Sequence, residues 1–510
     1  MTPIDFFWAA VQRHPDARAA MMLAPEGEVT GQLSYRELAG QVSAVANAFQ
    51  RLSGQRRPRI CIASHNSLAM LVAILATYQC RGVLIPLTPS NPEAELRQQI
   101  DVARPDLLLI DDSALAIATD QRAQVVHMGP DAGAFHSFAS LLAEPSAGAP
   151  EVVEALGEDI TAIKFTGGSS GRPKAVLQSM RCLNTMISSL IGVYGPAEGE
   201  RFLLSPPLTH GAGTFVVPVL ATGGCLVVMD GAKAPQLVGA MARHEVAGTW
   251  VPPTLLYQML DALDQQPRAL PRLRNLLYGG AGATLERLQQ ARAMLGPVVG
   301  VTYGLTEAPV IIAGMPGRDS AVDANLGSAG RAGPLTRLAV LGQDGGLCVP
   351  GQTGEIVARG DLLMSGYLDM PEATQAVLTE GWLRTGDVGY LDERGYLYIK
   401  GRSKDVVISG GFNVYPSDVE DALSQHEDVA ESVVFGVPDS HWGERVEAAV
   451  ELKRGRQATA DEIKRHAREK LGAVRTPKTI HIVDQLPRNS LGKVQKRQLR
   501  EEFIQKLQAS

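Results

Sequence analysis

The stretch Phe165–Val176 reads FTGGSSGRPKAV, and the fold and chemistry of the chain are inferred outward from it. It follows the apolar, β-branched run Ile160–Ile163, an order that predicts a strand leading into a tight loop. Glycines let backbone N–H groups approach an anion closely, serines add donors, and Lys174 adds a mobile positive charge. Alanine follows this lysine, so the stretch is not a Walker A loop. We predict a polyphosphate-binding loop, with a flexible surface loop as the alternative.

The loop resembles the phosphate-binding loop of the adenylate-forming superfamily, which includes acyl-CoA synthetases, peptide-synthetase adenylation domains and luciferases. That loop usually reads close to T-S-G-T-T-G-x-P-K-G. The chain departs from the pattern at Gly168 and Ala175, and neither departure removes a class of phosphate donor. The resemblance implies that the nucleotide phosphates are bound by Thr166, Gly167, Gly168, Ser169, Ser170, Gly171 and Lys174.

A second motif of the family follows at Val301–Glu307, VTYGLTE, which is similar to Y-G-x-T-E. Tyr303 offers a flat face for adenine, and Gly304 is assigned to the same site. Thr306 offers a hydroxyl to the α-phosphate, and Glu307 offers magnesium a hard oxygen ligand. A capped turn with an exposed glutamate is the alternative, which the order of the motifs disfavours.

Two later motifs, with Arg402 between them, complete the series. In Gly381–Asp387, GWLRTGD, the carboxylate of Asp387 can accept hydrogen bonds from both ribose hydroxyls. The resemblance implies that Arg402 reaches the nucleotide. The last motif, Pro487–Lys493, PRNSLGK, implies that Lys493 is the catalytic lysine, against the alternative of a solvated lysine in a polar loop.

The acyl group is expected near Ser205–Gly211, SPPLTHG, which matches a family motif with an aromatic or histidine side chain. His210 stands where amino-acid-activating relatives carry an aspartate, which disfavours amino-acid activation; a structural histidine is the alternative. Thr302 stands where relatives that activate diacids carry an arginine, so a second carboxylate is not favoured. The pocket candidates are mostly small or apolar: His210, Thr214, Trp250, Val251, Gly280, Ala281, Gly304 and Val310.

Composition limits the remaining possibilities. A chain of 510 residues is too long for one core, so we expect two or more domains. The net charge of −6, without a long basic run, argues against nucleic acid and anionic membranes as partners. The 5 scattered cysteines favour a reducing cytosol over a disulfide framework or a zinc site. No signal peptide or membrane-spanning run is evident, so we expect a cytoplasmic protein.

Alternating helix and strand patterns over about residues 1–324 predict βαβ units and two sheets. Short glycine-rich strands over about 325–403 predict a small β subdomain. We therefore expect an α/β fold, with an N-terminal ATP- and acyl-binding domain at 1–403 and a small α+β domain at 404–510. The resemblance implies that the small domain is mobile, with its hinge at Lys404. Its rotation would bring Gly410 and Gly411 to the pantetheine tunnel.

The resemblance implies an AMP-forming acyl-CoA synthetase that uses ATP, Mg²⁺ and CoA. The substrate expected from the pocket candidates is a hydrophobic aliphatic or aromatic monocarboxylic acid. One alternative is a stand-alone adenylation enzyme that loads the pantetheine of a carrier protein. Another is a catalytically idle nucleotide-binding protein, which loss of Glu307, Asp387 or Lys493 would have favoured; all three are present. The identity of the acid and a homodimeric state both stay open.

Overall fold

The computed structural model describes residues 1–119, 121–129, 133–143, 154, 156–166, 173–439, 441–488 and 494–509. Alternating helices and strands build most of it. The α-helices within these ranges are Pro3–Arg13, Tyr35–Ser53, Leu68–Gln79, Glu93–Ala103, Phe138–Ala143, Met180–Tyr194, Val216–Ala221, Ala234–Arg243, Pro253–Gln265, Leu285–Leu295, Pro371–Val377, Pro416–Ser424, Ala460–Arg475 and Lys496–Ala509. No helix in these ranges is both long and apolar enough to cross a bilayer.

The first sheet has nine strands in the described residues, and its central strands are parallel. Several of these strands are continuous apolar runs, because both faces of a parallel sheet are covered. In spatial order the strands are Arg331–Ala332, Ala313–Met315, Val299–Tyr303, Asn275–Gly279, Val246–Val251, Arg201–Leu204, Cys225–Val228, Arg18–Leu23 and Val29–Ser34.

The second sheet has eight strands in the described residues. It contains the strand that leads into the phosphate-binding loop, Ile160–Thr166, and the strand that leaves this loop, Lys174–Ser179. In spatial order the strands are Gly366–Tyr367, Lys174–Ser179, Ile160–Thr166, Val83–Leu87, Arg59–Ala63, Leu107–Ile110, Gln124–His127 and His136–Ser137.

Helices packed with both sheets form the largest core. Helix Leu68–Gln79 is buried from Met70 to Thr77, as expected for a segment that is apolar on all sides. Helix Tyr35–Ser53 is amphipathic, and the Ser34 hydroxyl caps its first turn by accepting from the Glu37 N–H. Both helices contribute to one cluster that also contains side chains from each large sheet. This arrangement confirms the predicted α/β class with two sheets.

A smaller antiparallel sheet follows. Its order is Thr336–Leu341, Gly354–Gly360, Trp382–Leu391 and Leu378–Thr379, with Leu397–Arg402 also paired to Trp382–Leu391. The pairing places Asp387 directly opposite Arg402. This sheet therefore brings a predicted ribose ligand and a predicted nucleotide ligand side by side.

The C-terminal segment forms a separate α+β unit, as predicted. Its strands run in the order Phe412–Val414, Val407–Ser409, Gly443–Leu452 and Val429–Asp439, and Thr479–Val483 pairs in parallel with Gly443–Leu452. The core clusters of this unit contain only residues from Val407 onward. Contacts with the preceding unit include the ion pairs Lys400 Nζ–Asp418 Oδ1 at 2.6 Å and Lys453 Nζ–Glu286 Oε1 at 3.5 Å.

Candidate active site

The predicted nucleotide residues Tyr303, Asp387 and Arg402 meet at one point. The Tyr303 hydroxyl donates to Asp387 Oδ2 at 2.7 Å, and Arg402 Nε lies 2.8 Å from Asp387 Oδ1. Asp387 is only 6% exposed, so both oxygens are held in defined positions. Burial, and then the adjacent Asp387, raises the pKa of Tyr303 well above its usual value. Tyr303 therefore remains a hydrogen-bond donor at neutral pH.

The loop after Tyr303 is strained at Val310. Val310 has φ +63°, and the Ile311 N–H donates to the Pro309 carbonyl at 2.7 Å across it. Positive φ is unusual for a β-branched residue, and this i to i+2 pattern is that of a γ-turn. The Val310 backbone packs so closely on Gly304 that any Cβ at Gly304 would clash with it. Strained turns of this kind cluster at ligand sites.

The predicted magnesium ligand Glu307 and the predicted phosphate ligand Lys174 both contact Tyr367. The Tyr367 hydroxyl donates to Glu307 Oε1 at 2.6 Å, and Lys174 Nζ lies 5.0 Å from the centroid of the Tyr367 ring. The Thr306 carbonyl accepts from Gln178 Nε2 at 2.8 Å, which ties the loop to the strand that begins at Lys174. The structure therefore groups the phosphate-side predictions around Tyr367.

His210 is held by a separate set of hydrogen bonds. Its Nε2 lies 2.7 Å from Thr88 Oγ1, which is also 2.9 Å from Thr209 Oγ1. Asn66 holds the preceding segment, because its amide donates to the Ser205 and Pro206 carbonyls. Burial, and then the charge of Lys164, lowers the pKa of His210 to about 4. His210 is therefore neutral at physiological pH.

Trp250 lies next to the His210 segment. Its Nε1 donates to Thr302 Oγ1 at 2.9 Å, and a Cβ on Gly211 would lie 2.5 Å from its ring. The Thr214 hydroxyl donates to the Gly211 carbonyl at 2.5 Å. Val251 does not join this group. It packs in a different core cluster from Trp250, because neighbouring residues of a strand point to opposite faces of the sheet.

The remaining predicted residues occupy turns. Gly280 and Ala281 are exposed after strand Asn275–Gly279, and Gly280 has φ +82°, which favours glycine. Gly410 and Gly411 form the turn between strands Val407–Ser409 and Phe412–Val414, and Gly410 lies against Trp442. Lys404 is exposed in the short 3₁₀ turn Ser403–Asp405.

Two predicted parts of the site lie outside the described residues: Gly167–Gly171 of the predicted phosphate-binding loop, and Lys493. The residues on either side of each are described. Thr166 pairs with Lys174 at the base of the first segment, and Arg488 pairs with Val494 at the base of the second. The Arg488 guanidinium also contacts Glu431 and lies 3.9 Å from Glu451 Oε2.

Sequence analysis missed several residues that organise the site: Asn66, Thr88, Gln178 and Tyr367. Thr88 directly follows the buried strand Val83–Leu87. Ligands of parallel sheets bind beyond the carboxyl ends of strands, so this position could have been selected from the sequence. Tyr367 gave no comparable signal, because its partner Glu307 is distant in the chain.

A family model described as AMP-binding enzyme matches residues 7–368. A second model, described as AMP-binding enzyme C-terminal domain, matches residues 418–493. The chain belongs to the AMP-binding enzyme family. This confirms the predicted resemblance to the adenylate-forming superfamily.

Similar proteins support this assignment, and the similarity extends over nearly the whole length of the enzyme. It is 31% identical over 492 residues to a medium/long-chain-fatty-acid–CoA ligase of Mycobacterium tuberculosis, covering 92% of this chain and 86% of that protein. It is 31% identical over 476 residues to an indoleacetate–CoA ligase of Aromatoleum aromaticum, covering 92% and 93%. The solved structure of the amide bond synthetase McbA from Marinactinospora thermotolerans superimposes with a TM-score of 0.89 at 28% identity, covering 98% of this chain and 99% of that chain.

Together, the family match and these relatives identify the AMP-binding enzyme as an AMP-forming acid–thiol ligase. Such an enzyme uses ATP, a carboxylic acid and CoA. The acid and the roles of individual residues are taken up next.

Proposed function

We propose that the enzyme activates a hydrophobic aliphatic or aromatic monocarboxylic acid with ATP and transfers the acyl group to CoA. The observation that carries this proposal is the wall formed by neutral His210 and the ring of Trp250. A neutral wall offers no fixed negative charge to the ammonium group of an amino acid. It suits an apolar acyl group instead.

In the first half-reaction, a carboxylate oxygen attacks the α-phosphorus of ATP and pyrophosphate leaves, which produces an acyl-adenylate. In our proposal Asp387 accepts from the ribose hydroxyls, with Tyr303 and Arg402 holding its oxygens in place. Tyr303 and Gly304 adjoin the adenine, as do Gly280 and Ala281. When ribose binds, its hydroxyls would replace a protein partner of Asp387, so the carboxylate would keep its hydrogen bonds.

The phosphates would lie between the segment Thr166–Lys174 and Thr306. Lys174 supplies positive charge to the pyrophosphate that leaves. Glu307 fits a magnesium ligand, because Mg²⁺ is commonly held by one or two carboxylates together with substrate phosphates and water. When bound, Mg²⁺ would neutralise phosphate charge.

We further propose that Lys493 stabilises the negative charge that develops as the carboxylate attacks. Its segment starts from the Arg488–Val494 pair, and the Arg488 partner Glu431 lies near enough to Tyr257 of the large unit to affect its pKa. The described residue that precedes the Lys493 segment therefore lies near the large unit, which supports the proposal.

The second half-reaction needs a different surface, because the thiol must reach the acyl carbonyl while AMP leaves. We propose that residues 404–510 rotate at Lys404 relative to 1–403, which withdraws Lys493 and brings in Gly410 and Gly411. Separate cores on either side of this boundary support independent movement.

Pyrophosphate release over a panel of carboxylic acids, with and without CoA, tests the proposal when products are analysed by mass. Acid-dependent release with an acyl-CoA product is expected. Thioester formation only with a holo-carrier protein would favour the carrier-loading alternative. Amide formation when an amine replaces CoA would show that the acyl acceptor is an amine, and the acceptor in the proposal would then be wrong. No release of pyrophosphate with any acid would overturn the whole proposal.

A further inference from the structure

Lys164 is the charged residue in the otherwise uncharged strand Ile160–Thr166. The strand lies inside the second sheet, between Val83–Leu87 and Lys174–Ser179. Lys164 pairs with Val176 and lies two residues before Thr166, where the phosphate-binding loop begins. The proposed nucleotide site does not use its ammonium group.

The Lys164 side chain lines an internal cavity. The other lining residues come from strand Val83–Leu87 of the second sheet and from helices and turns around it, and they are mostly apolar: Pro3, Ile74, Tyr78, Leu84, Pro86, Leu183, Met186, Ile187, Leu208, Gly213, Thr214, Val216 and Val217. The residue retains partial solvent accessibility because it faces this cavity, although protein surrounds it. The free space is about 20 Å³, which is room for one water molecule or one small terminal group.

In the part of the chain that the structure describes, no group forms a hydrogen bond or ion pair with the Lys164 ammonium. Burial lowers its pKa to about 8, so the ammonium form still predominates at pH 7. The titratable groups that affect or line this region are Cys182, His210 and Tyr78, and none is anionic at pH 7: burial raises the pKa values of Cys182 and Tyr78 and lowers that of His210. An enclosed cation without a partner is unfavourable, and among the described residues the cavity offers this ammonium no complementary acceptor.

The cavity lies next to the proposed acyl site. Leu84 is paired with Ala162 in adjacent parallel strands, so continuing the register places Pro86 beside Lys164 and Thr88 beside Thr166. Thr88 contacts His210. Two residues of a strand span about 7 Å. The Lys164 backbone therefore lies about 7 Å along its strand from Thr166, the position opposite Thr88. Thr214, a predicted pocket residue, is also part of the cavity lining.

We propose that Lys164 is a specificity residue that binds an acceptor oxygen at the far end of the acyl group. The preferred acid would then be a monocarboxylic acid that is apolar along its length and carries a keto oxygen at its far end. This inference rests on the proposed acyl-CoA ligase function and refines its substrate class. A terminal acceptor would satisfy the ammonium, whereas a methyl end would leave it unpaired.

The test compares three acids at each of several chain lengths: an unbranched alkanoate, its analogue with a keto group next to the end, and the matching dicarboxylate. Acyl-CoA formation is measured with wild type, Lys164→Met and Lys233→Met, which removes an exposed lysine. We expect wild type to favour an oxygenated acid of one length, and Lys164→Met to lower kcat/KM for that acid by about 10–100-fold without lowering it for the alkanoate.

Equal effects of Lys164→Met on the alkanoate and the oxygenated acids would overturn the inference, because a structural role predicts that result. Wild-type preference for alkanoates at every length would overturn it as well. A preference for the dicarboxylate over the keto acid would also overturn it, because the oxygen bound by Lys164 would then be charged. Absence of thioester with any acid would instead reject the proposed ligase function, so the two failures are distinguishable.

Discussion

The nucleotide half and the acyl half of the candidate site differ in how their charges are compensated. On the nucleotide side, Asp387 is held by Tyr303 and Arg402, and Glu307 accepts from Tyr367. On the acyl side, Lys164 has no hydrogen-bond or ion-pair partner among the described residues.

The difference follows from what each half must recognise. A nucleotide has the same ribose and phosphates in every reaction, so its ligands can be positioned in advance by other protein groups. An acyl pocket must complement one particular acid, and unsatisfied groups there become satisfied only by the right substrate. The comparison therefore assigns common chemistry to the first half and selectivity to the second.

The largest expected effect separates adenylation from thiolation. Lys493→Ala should slow acid-dependent pyrophosphate release by about 10²–10³-fold, because it removes charge stabilisation from the transition state. Thioester formation from supplied acyl-adenylate should persist. Lys496→Ala is the control, since the Lys496 ammonium pairs with Glu420 Oε1 at 2.6 Å. Equal loss of both half-reactions in Lys493→Ala would contradict the assignment.

The uncompensated charge of Lys164 should appear as a pH-dependent stability difference. With a folded pKa of about 8 against about 10.4 in the unfolded chain, Lys164 destabilises the fold by up to about 3 kcal/mol below pH 8. Between these values the unfolded state binds more protons, so stability rises with pH. Lys164→Met should therefore be more stable than wild type at pH 7, and the gap should close towards pH 10.

Denaturant unfolding of wild type, Lys164→Met and the control Lys233→Met between pH 7 and pH 10 measures this difference. A gap between wild type and Lys164→Met that does not change with pH would show that the ammonium is compensated in the folded protein. The acyl half would then resemble the nucleotide half.

Asp387→Asn tests the nucleotide half, in which protein groups compensate the charges. It should raise KM for ATP by about 10–100-fold, because a charged hydrogen-bond acceptor is lost, while KM for the acid changes little. Asp369→Asn is a matched control, since its exposed carboxylate pairs with Arg104 at the surface. A rise confined to KM for the acid would show that Asp387 contacts the acid rather than the nucleotide.

The smallest effect is expected for Gly211→Ala. Its new Cβ would lie 2.5 Å from the Trp250 ring, so the ring must move within the acyl half. We expect KM for the acid to rise by about 10-fold and KM for ATP to stay unchanged. Gly40→Ala is the control, because no atom lies within 4 Å of the added Cβ. An equal rise in both constants would show that the halves are coupled.

Sequence patterns predicted the alternation of strands and helices that gives the α/β class, because strand and helix periods are local properties. Contiguous motifs also identified Tyr303, Asp387 and Glu307 as candidates, and the structure brings Tyr303 together with Asp387. Val251 was grouped with Trp250 by proximity in the chain, but strand alternation places the two on opposite faces. Strand alternation over Trp250 and Val251 could have revealed that separation from the sequence.

The sequence alone determined the family, the α/β class and the motif residues, because each depends on residue type and order over short distances. The tertiary structure decided that Thr88 meets His210, that Tyr367 meets Glu307 and that Lys164 faces a cavity. The first two contacts each join a segment of one large sheet to a segment of the other. They form only when the two sheets pack together, which no local sequence pattern reveals. Burial then sets the charge states, lowering the pKa of His210 to about 4 and that of Lys164 to about 8.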